Sequence, residues 1–169
     1  LTLSIPCFAV GADAWPRFRG PNGSGNVEAN AIPSQWTEQD YRWATTLPGI
    51  GNSSPVIFGN QLYVTAADDS SKRRMLLCLN TSDGAEIWRA EVSFKPYKKH
   101  KNNSYASSTP AVDEDHVYQL WHSKDQSTLI AYDHDGAESW RFDLGPYDHG
   151  QGGATRKKGT GLICRNGPE

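Results

Sequence analysis

The sequence predicts an all-β fold, a β-propeller fragment with about two four-stranded antiparallel blades plus the outer strand of a further blade. Three observations predict this class. One stretch recurs after about fifty residues, the chain turns often at Gly, Pro, Asn and Asp, and no window carries an apolar stripe at helical spacing over three turns. Strand-like units of that period bury their apolar faces only against the next unit, as the blades of a propeller do.

The first copy of the repeat, residues 49–95, is predicted to form blade one. Its four strands are expected at residues 55–58, 61–67, 75–80 and 86–92. In the second of these, Leu62, Val64 and Ala66 alternate with Tyr63 and Thr65, so the two sets should point to opposite faces of the sheet.

The second copy, residues 106–145, is predicted to form blade two, with strands near 110–112, 116–122, 128–133 and 138–144. The fourth-strand pattern, a Trp followed four residues later by an aliphatic residue, also occurs at Trp43 and Leu47. Residues 36–48 are therefore predicted to be the outer strand of a partial blade whose inner strands lie elsewhere.

The remaining segments flank or join these units. Residues 1–14 are predicted to be the remnant of a secretion signal, because a short apolar run precedes the small-x-small triplet Ala12–Ala14. This predicts a secreted or periplasmic protein, or one associated with the cell envelope. Residues 15–35 are expected to be irregular, residues 96–105 to form a basic loop between the blades, and residues 146–169 to be an incomplete or aberrant start of a third blade.

Composition excludes several classes of function. The net charge is -2, and no basic stripe is interleaved with aromatic residues, so nucleic-acid binding is not expected. The apolar N-terminal run is too short for a transmembrane segment. The three cysteines form no metal-binding or disulfide pattern, and Cys78 is expected to be a small buried apolar residue in a strand.

One Trp recurs at the same point of every unit, and a flat indole can fill the wedge between two blades while its N–H reaches a backbone acceptor. A glycine four residues before the Trp permits the turn that precedes it. The residues predicted to dock one blade on another are Trp43, Trp88, Trp140, Gly84, Gly136, Pro55 and Pro110.

The segments Cys78–Trp88 and Ala131–Trp140 resemble the tryptophan-docking repeat of pyrroloquinoline-quinone (PQQ) type β-propellers. That family includes quinoprotein alcohol dehydrogenases and an outer-membrane assembly lipoprotein that uses the same blade without the cofactor. The run Trp15–Gly25 is similar to the opening of secreted members without an assigned enzyme activity. The resemblance implies a propeller with more blades than this chain holds.

Candidate binding residues are few. The basic run between the blades carries Lys95, Lys98, Lys99 and Lys101, and His149 occupies the equivalent place after blade two. Loops between blades are exposed and can build a binding surface, although a solubilising loop has the same composition. No catalytic, cofactor-binding or metal-binding residue is predicted.

Two functions remain open at this point. The first is a non-catalytic secreted propeller segment that binds or scaffolds a protein or an extracellular ligand, together with the remaining blades of the same propeller. The alternative that the resemblance implies is a fragment of a PQQ-dependent alcohol or sugar dehydrogenase, which would hold PQQ with Ca²⁺ in a full-length parent. The chain lacks the adjacent Cys-Cys pair often found in such enzymes and a convincing Ca²⁺-binding set. The sequence therefore favours the first function.

Overall fold

The computed structural model describes residues 14–26 and 34–146, which form two four-stranded antiparallel sheets. The first sheet has the order β1-β2-β3-β4 and the second the order β5-β6-β7-β8. The strands are β1 (Val56–Phe58), β2 (Gln61–Asp68), β3 (Arg73–Asn80), β4 (Glu86–Ser93), β5 (Ala111–Val112), β6 (Val117–His122), β7 (Ser127–Tyr132) and β8 (Glu138–Gly145). The all-β prediction and the two four-stranded units are confirmed.

The face assignment within β2 is also confirmed. Tyr63 and Ala67 belong to the main core, between the two sheets, whereas Ala66 belongs to a second cluster with Leu62 and Val64 on the opposite face. A strand that places apolar side chains on both faces must be covered on both sides. The second sheet covers one face of the first.

The main core joins the two sheets into one packed unit. The first sheet contributes residues such as Val56, Leu76 and Cys78, and the second contributes Trp121 and Ile130, all of them buried. Cys78 is fully buried, as expected for a small apolar residue.

A chain segment with no strand of its own lies beside the free edge of β2 and packs on the other face of the first sheet. Leu47 packs against the second apolar cluster, and Ile50 forms an isolated antiparallel bridge with Ala67 near the end of β2. Gly49 and Gly51 allow this close approach, because a Cβ at Gly51 would lie 2.2 Å from the Thr65 carbonyl oxygen. No pattern in the sequence indicates this role of the two glycines.

Residues 36–48, predicted to be the outer strand of a partial blade whose inner strands lie elsewhere, form no strand within the described ranges. Glu38–Asp40 form a single 3₁₀ turn, and the rest of the segment has no strand partner within the described ranges. A β-strand exists only through hydrogen bonds to a neighbouring strand, so a Trp pattern shared with β4 and β8 is not sufficient to make one.

The irregular segment at residues 15–25 contacts the innermost strand of each sheet. Trp15 forms an antiparallel bridge with Ile57 of β1, and the Pro16 carbonyl accepts a hydrogen bond of 2.8 Å from the backbone N–H of Val112 in β5. The segment thereby joins both sheets at their inner edges.

Three of the predicted features lie outside the described residues. They are nearly all of the signal remnant at residues 1–14, the tail from residue 147, and His149.

Candidate functional site

Two tryptophans cross from one unit to the next at corresponding places. The indole N–H of Trp43 donates to the Thr81 carbonyl at 2.9 Å, and that of Trp88 donates to the His134 carbonyl at 2.8 Å. Each acceptor lies in the turn between the third and fourth strands of the following sheet. Each indole therefore reaches forward along the chain to the next repeat.

The turn glycines receive these rings. Gly84 has φ +72° and Gly136 has φ +90°, and a Cβ would lie 2.4 Å from the Trp43 ring at the first and 2.6 Å from the Trp88 ring at the second. From the sequence these glycines are predicted docking residues, and the role expected of each is the turn before its own Trp. The structure adds a second role, as the flat surface on which the preceding repeat's indole lies.

The two repeat prolines differ in environment. Pro110 is fully buried just before β5, whereas Pro55 is exposed just before β1. The residues next to them connect the sheets directly, because the Ser54 backbone N–H donates to the Thr109 hydroxyl at 3.0 Å. Asn52 also donates from its backbone N–H to the Ala106 carbonyl at 3.0 Å.

His134 connects the turn of the second sheet to the first sheet. Its Nδ1 lies 2.9 Å from the Tyr63 hydroxyl, its Nε2 lies 3.1 Å from the Asp113 carbonyl oxygen, and its ring stacks on Phe58 with centroids 5.4 Å apart. The Tyr63 hydroxyl also donates to the Gln61 side-chain oxygen at 2.6 Å. In the sequence this histidine stands between two turn aspartates, and no local pattern marks it as a contact between sheets.

Burial shifts the pKa values of two side chains at this contact, the Tyr63 phenol and the Cys78 thiol. Burial, together with the nearby Cys78 thiol, raises the pKa of Tyr63 above its ordinary value of 10.0. Burial also raises the pKa of the Cys78 thiol to about 12. Both side chains are therefore neutral near pH 7, and neither is a reactive nucleophile.

The face of the second sheet that points away from the first sheet is apolar and uncovered within the described residues. We call it the open face; it consists of Tyr118, Leu120, Trp140, Phe142 and Leu144. Trp140 is 42% exposed, Phe142 59% and Leu144 49%. Cross-strand register places Leu120 and Phe142 opposite Leu129, and the Tyr118 and Trp140 rings lie 5.9 Å apart, which puts these side chains on one face.

The open face corresponds by repeat to a face that is covered. Trp140, Phe142 and Leu144 are the counterparts of Trp88, Ala90 and Val92, which pack against the inter-sheet core. The second sheet therefore presents, as its open face, the same kind of surface with which the first sheet packs against the second.

The basic loop between β4 and β5 lies at the end of the sheets opposite to the turns that receive the indoles. We call residues 94–105 the lysine loop. Phe94 is buried and its ring lies 4.4 Å from that of Tyr105, which in turn lies 5.1 Å from that of Tyr97. Lys95, Lys98 and Lys101 are exposed.

Beneath the lysine loop lies Arg74, which is only 4% exposed. Its guanidinium carbon lies 5.3 Å from the centre of the Phe94 ring and 5.1 Å from that of Trp121. It donates to the His122 carbonyl at 2.6 Å and to the Ser123 hydroxyl at 3.3 Å. Burial lowers the pKa of Arg74 from its ordinary value.

The acidic residues at positions 113–115 and 133–135 lie in turns. The Asp113 carboxylate accepts hydrogen bonds from the backbone N–H groups of Asp115 and His116, and that of Asp133 accepts from Asp135 and Ala137. These are the side-chain-to-backbone bonds that aspartate supplies in turns. Asp113, Asp115 and His116 also bring three potential ligand atoms within 4.8 Å of one another, with the two aspartates exposed and His116 half-buried.

The described ranges contain no helix with the length and apolar character that a bilayer crossing requires.

Comparison with known proteins gives one broad match and two partial ones. A family model described as outer membrane protein assembly factor BamB matches residues 34–160. Among solved structures, BamB from Moraxella catarrhalis is similar with a TM-score of 0.42 and 20% identity, over 59% of this chain and 27% of that chain. Among curated proteins, the major capsid protein L1 of pygmy chimpanzee papillomavirus type 1 is 25% identical over 104 residues, which is 59% of this chain and 19% of the capsid protein. The chain therefore spans less than a third of the length of either relative.

Proposed function

Because the chain belongs to the repeat family described as outer membrane protein assembly factor BamB, we propose that it forms part of a β-propeller that binds other proteins as a scaffold in the periplasm or cell envelope. It catalyses no reaction in this role and holds no cofactor. Further blades of the same propeller complete the ring.

The open face is the observation that carries this proposal. The first sheet already uses the corresponding surface, with Trp88, Ala90 and Val92, to bind the second sheet. Because the second sheet presents the same surface again, a further sheet can pack against it. A glycine in a turn of that sheet would receive the Trp140 indole. Such a ring leaves the loops between its blades free to contact other proteins.

A photo-crosslinking residue at Leu120, in the middle of the open face, tests the ring in the full-length parent. We expect the crosslink to stay within one polypeptide, because a further blade covers this position. A crosslink at Leu120 to a different protein would contradict the proposal.

A quinone titration separates the scaffold from the dehydrogenase that the family resemblance also implies. We expect no saturable optical change when PQQ and Ca²⁺ are added to the full-length parent. Saturable uptake at a one-to-one ratio would instead favour the enzyme.

A further inference from the structure

We propose that the lysine loop is a docking site for an acidic polypeptide segment of another protein. The proposal rests on the protein-binding function above and names the chemistry of the partner. Four observations carry it: the order of the loop, the charge on it, the charge beneath it and the opposite charge at the far end of the sheets.

The loop is held in one conformation by its aromatic residues. The Tyr105 hydroxyl donates to the Tyr97 carbonyl at 2.9 Å, and the Tyr97 hydroxyl donates to the His122 carbonyl of the second sheet at 3.2 Å. Phe94 fixes the start of the loop by donating from its backbone N–H to the Lys72 carbonyl at 3.1 Å. A loop that is already ordered loses less conformational entropy when a partner binds.

The charges on the loop are available to a partner. Lys95, Lys98 and Lys101 are exposed, and none of them forms an ion pair with a residue that the structure describes. Lys99 differs, because its ammonium group lies 4.9 Å above the Tyr105 ring. Lys99 therefore helps to order the loop while the other three face solvent.

Arg74 adds a positive charge below the loop. Its partners are carbonyl and hydroxyl oxygens and two aromatic rings, and no carboxylate in the described part of the chain pairs with it. Its Nε is buried without a hydrogen-bond partner there. A buried charge without a counter-ion is screened less than an exposed one, so it strengthens the positive potential above it.

The opposite end of the two sheets has the opposite charge. The turns at that end carry Asp83, Asp113, Glu114, Asp133 and Asp135, all of them exposed or half-buried. An acidic partner is therefore repelled at the turns and attracted at the lysine loop.

A polypeptide fits this surface better than a membrane does. Peripheral membrane binding usually combines basic residues with apolar side chains that insert among the lipids. In the lysine loop the aromatic rings point inward, with Phe94 buried and Tyr97 and Tyr105 half-buried. What remains exposed is charge, which suits the carboxylates of an acidic segment.

The test uses the full 169-residue chain and a fluorescein-labelled peptide of alternating Glu and Ser. Binding is measured by fluorescence anisotropy at about 0.01 M ionic strength, where the Debye length is about 30 Å. We expect Lys98→Gln/Lys101→Gln to weaken binding about tenfold. The matched control is Arg42→Gln/Arg89→Gln, which removes the same charge elsewhere and should change the affinity less than about twofold.

A second variant tests the order of the loop separately from its charge. Tyr105→Phe removes the hydrogen bond to the Tyr97 carbonyl and leaves every lysine in place. We expect affinity for the acidic peptide to fall about threefold while the thermal midpoint stays within about 1 °C, because the lost bond orders an exposed loop.

Three results would overturn the proposal. They are an equal loss of affinity in the loop and control variants, no measurable binding of the peptide, or tighter lysine-dependent binding to phosphatidylserine vesicles than to the peptide. Failure of this proposal is distinguishable from failure of the scaffold function, because quinone uptake by the parent tests the latter independently.

Discussion

Single residues at the contact between the sheets are where the strongest mutational effects are expected. Gly136 has φ +90° and faces the Trp88 ring. Gly136→Ala should lower the free energy of unfolding by about 3 kcal/mol, because the methyl group strains the backbone and displaces the indole.

Urea unfolding followed by circular dichroism measures this loss. The control is Gly59→Asn, because Gly59 has φ +59° with nothing within 4 Å of a Cβ, and asparagine tolerates that conformation. If Gly136→Ala lowers the free energy of unfolding no more than Gly59→Asn does, the packing of the Trp88 indole does not require a glycine at position 136.

The Cys78 thiol should be inert in the folded protein and should make stability fall at alkaline pH. Its pKa rises from 9.0 to about 12 on folding, so the unfolded chain loses this proton first. The contribution of the neutral thiol to the free energy of unfolding is fully present below pH 9, and it is lost as the pH rises towards 12.

Iodoacetamide labelling of a Cys7→Ser/Cys164→Ser variant, which keeps only this thiol, measures its reactivity. We expect labelling only under unfolding conditions, and a shallower loss of stability between pH 9 and 11 in Cys78→Ala. Rapid labelling at pH 8 in the absence of denaturant would show that the thiol is accessible.

The residues that sequence analysis missed share one physical property: their contacts join positions far apart in the chain. His134 bonds to Tyr63, and Arg74 bonds to His122. Composition and alternation report only on near neighbours, so they do not distinguish a histidine between two turn aspartates from a solvated turn residue.

Among the elements, the eight strands were predictable because the signal occurs twice. Alternation within β2, turn residues after β1 and β3, and the same order in the second copy place each strand within a residue or two of its observed bounds. The segment 36–48 forms no strand in the described ranges, because a strand needs a pairing partner and its own residues do not specify one.

The close packing of residues 47–51 beside β2 should require a glycine at position 51. Gly51→Ala places a methyl group against the Thr65 carbonyl oxygen, and the segment must move away from β2 to make room. We expect a loss of about 2 kcal/mol in the free energy of unfolding.

Amide hydrogen exchange at Ala67, which pairs with Ile50, should also quicken. Asn52→Ala changes an exposed side chain in the same segment and should alter neither quantity. Unchanged exchange at Ala67 in Gly51→Ala would mean that the backbone accommodates the methyl group without moving.

At the scale of the whole molecule, the open face should make the isolated chain associate. An uncovered apolar face of this kind is an association surface. We expect sedimentation velocity to show larger species as concentration rises, and Phe142→Ser/Leu144→Ser to reduce them.

The matched control removes exposed apolar side chains elsewhere. Ile50 is 72% exposed and Ile87 is 46% exposed. Ile50→Ser/Ile87→Ser should leave association unchanged, and an equal reduction in both double variants would mean that general hydrophobicity, not the open face, drives it.

The position of Trp15 and Pro16 has a consequence for synthesis. Their backbone partners, Ile57 and Val112, belong to two different sheets, and the second of these leaves the ribosome long after the first. A nascent chain can therefore seat this segment fully only when both repeats have emerged. Until then the Trp15 indole stays exposed, and chaperones bind exposed apolar side chains of this kind.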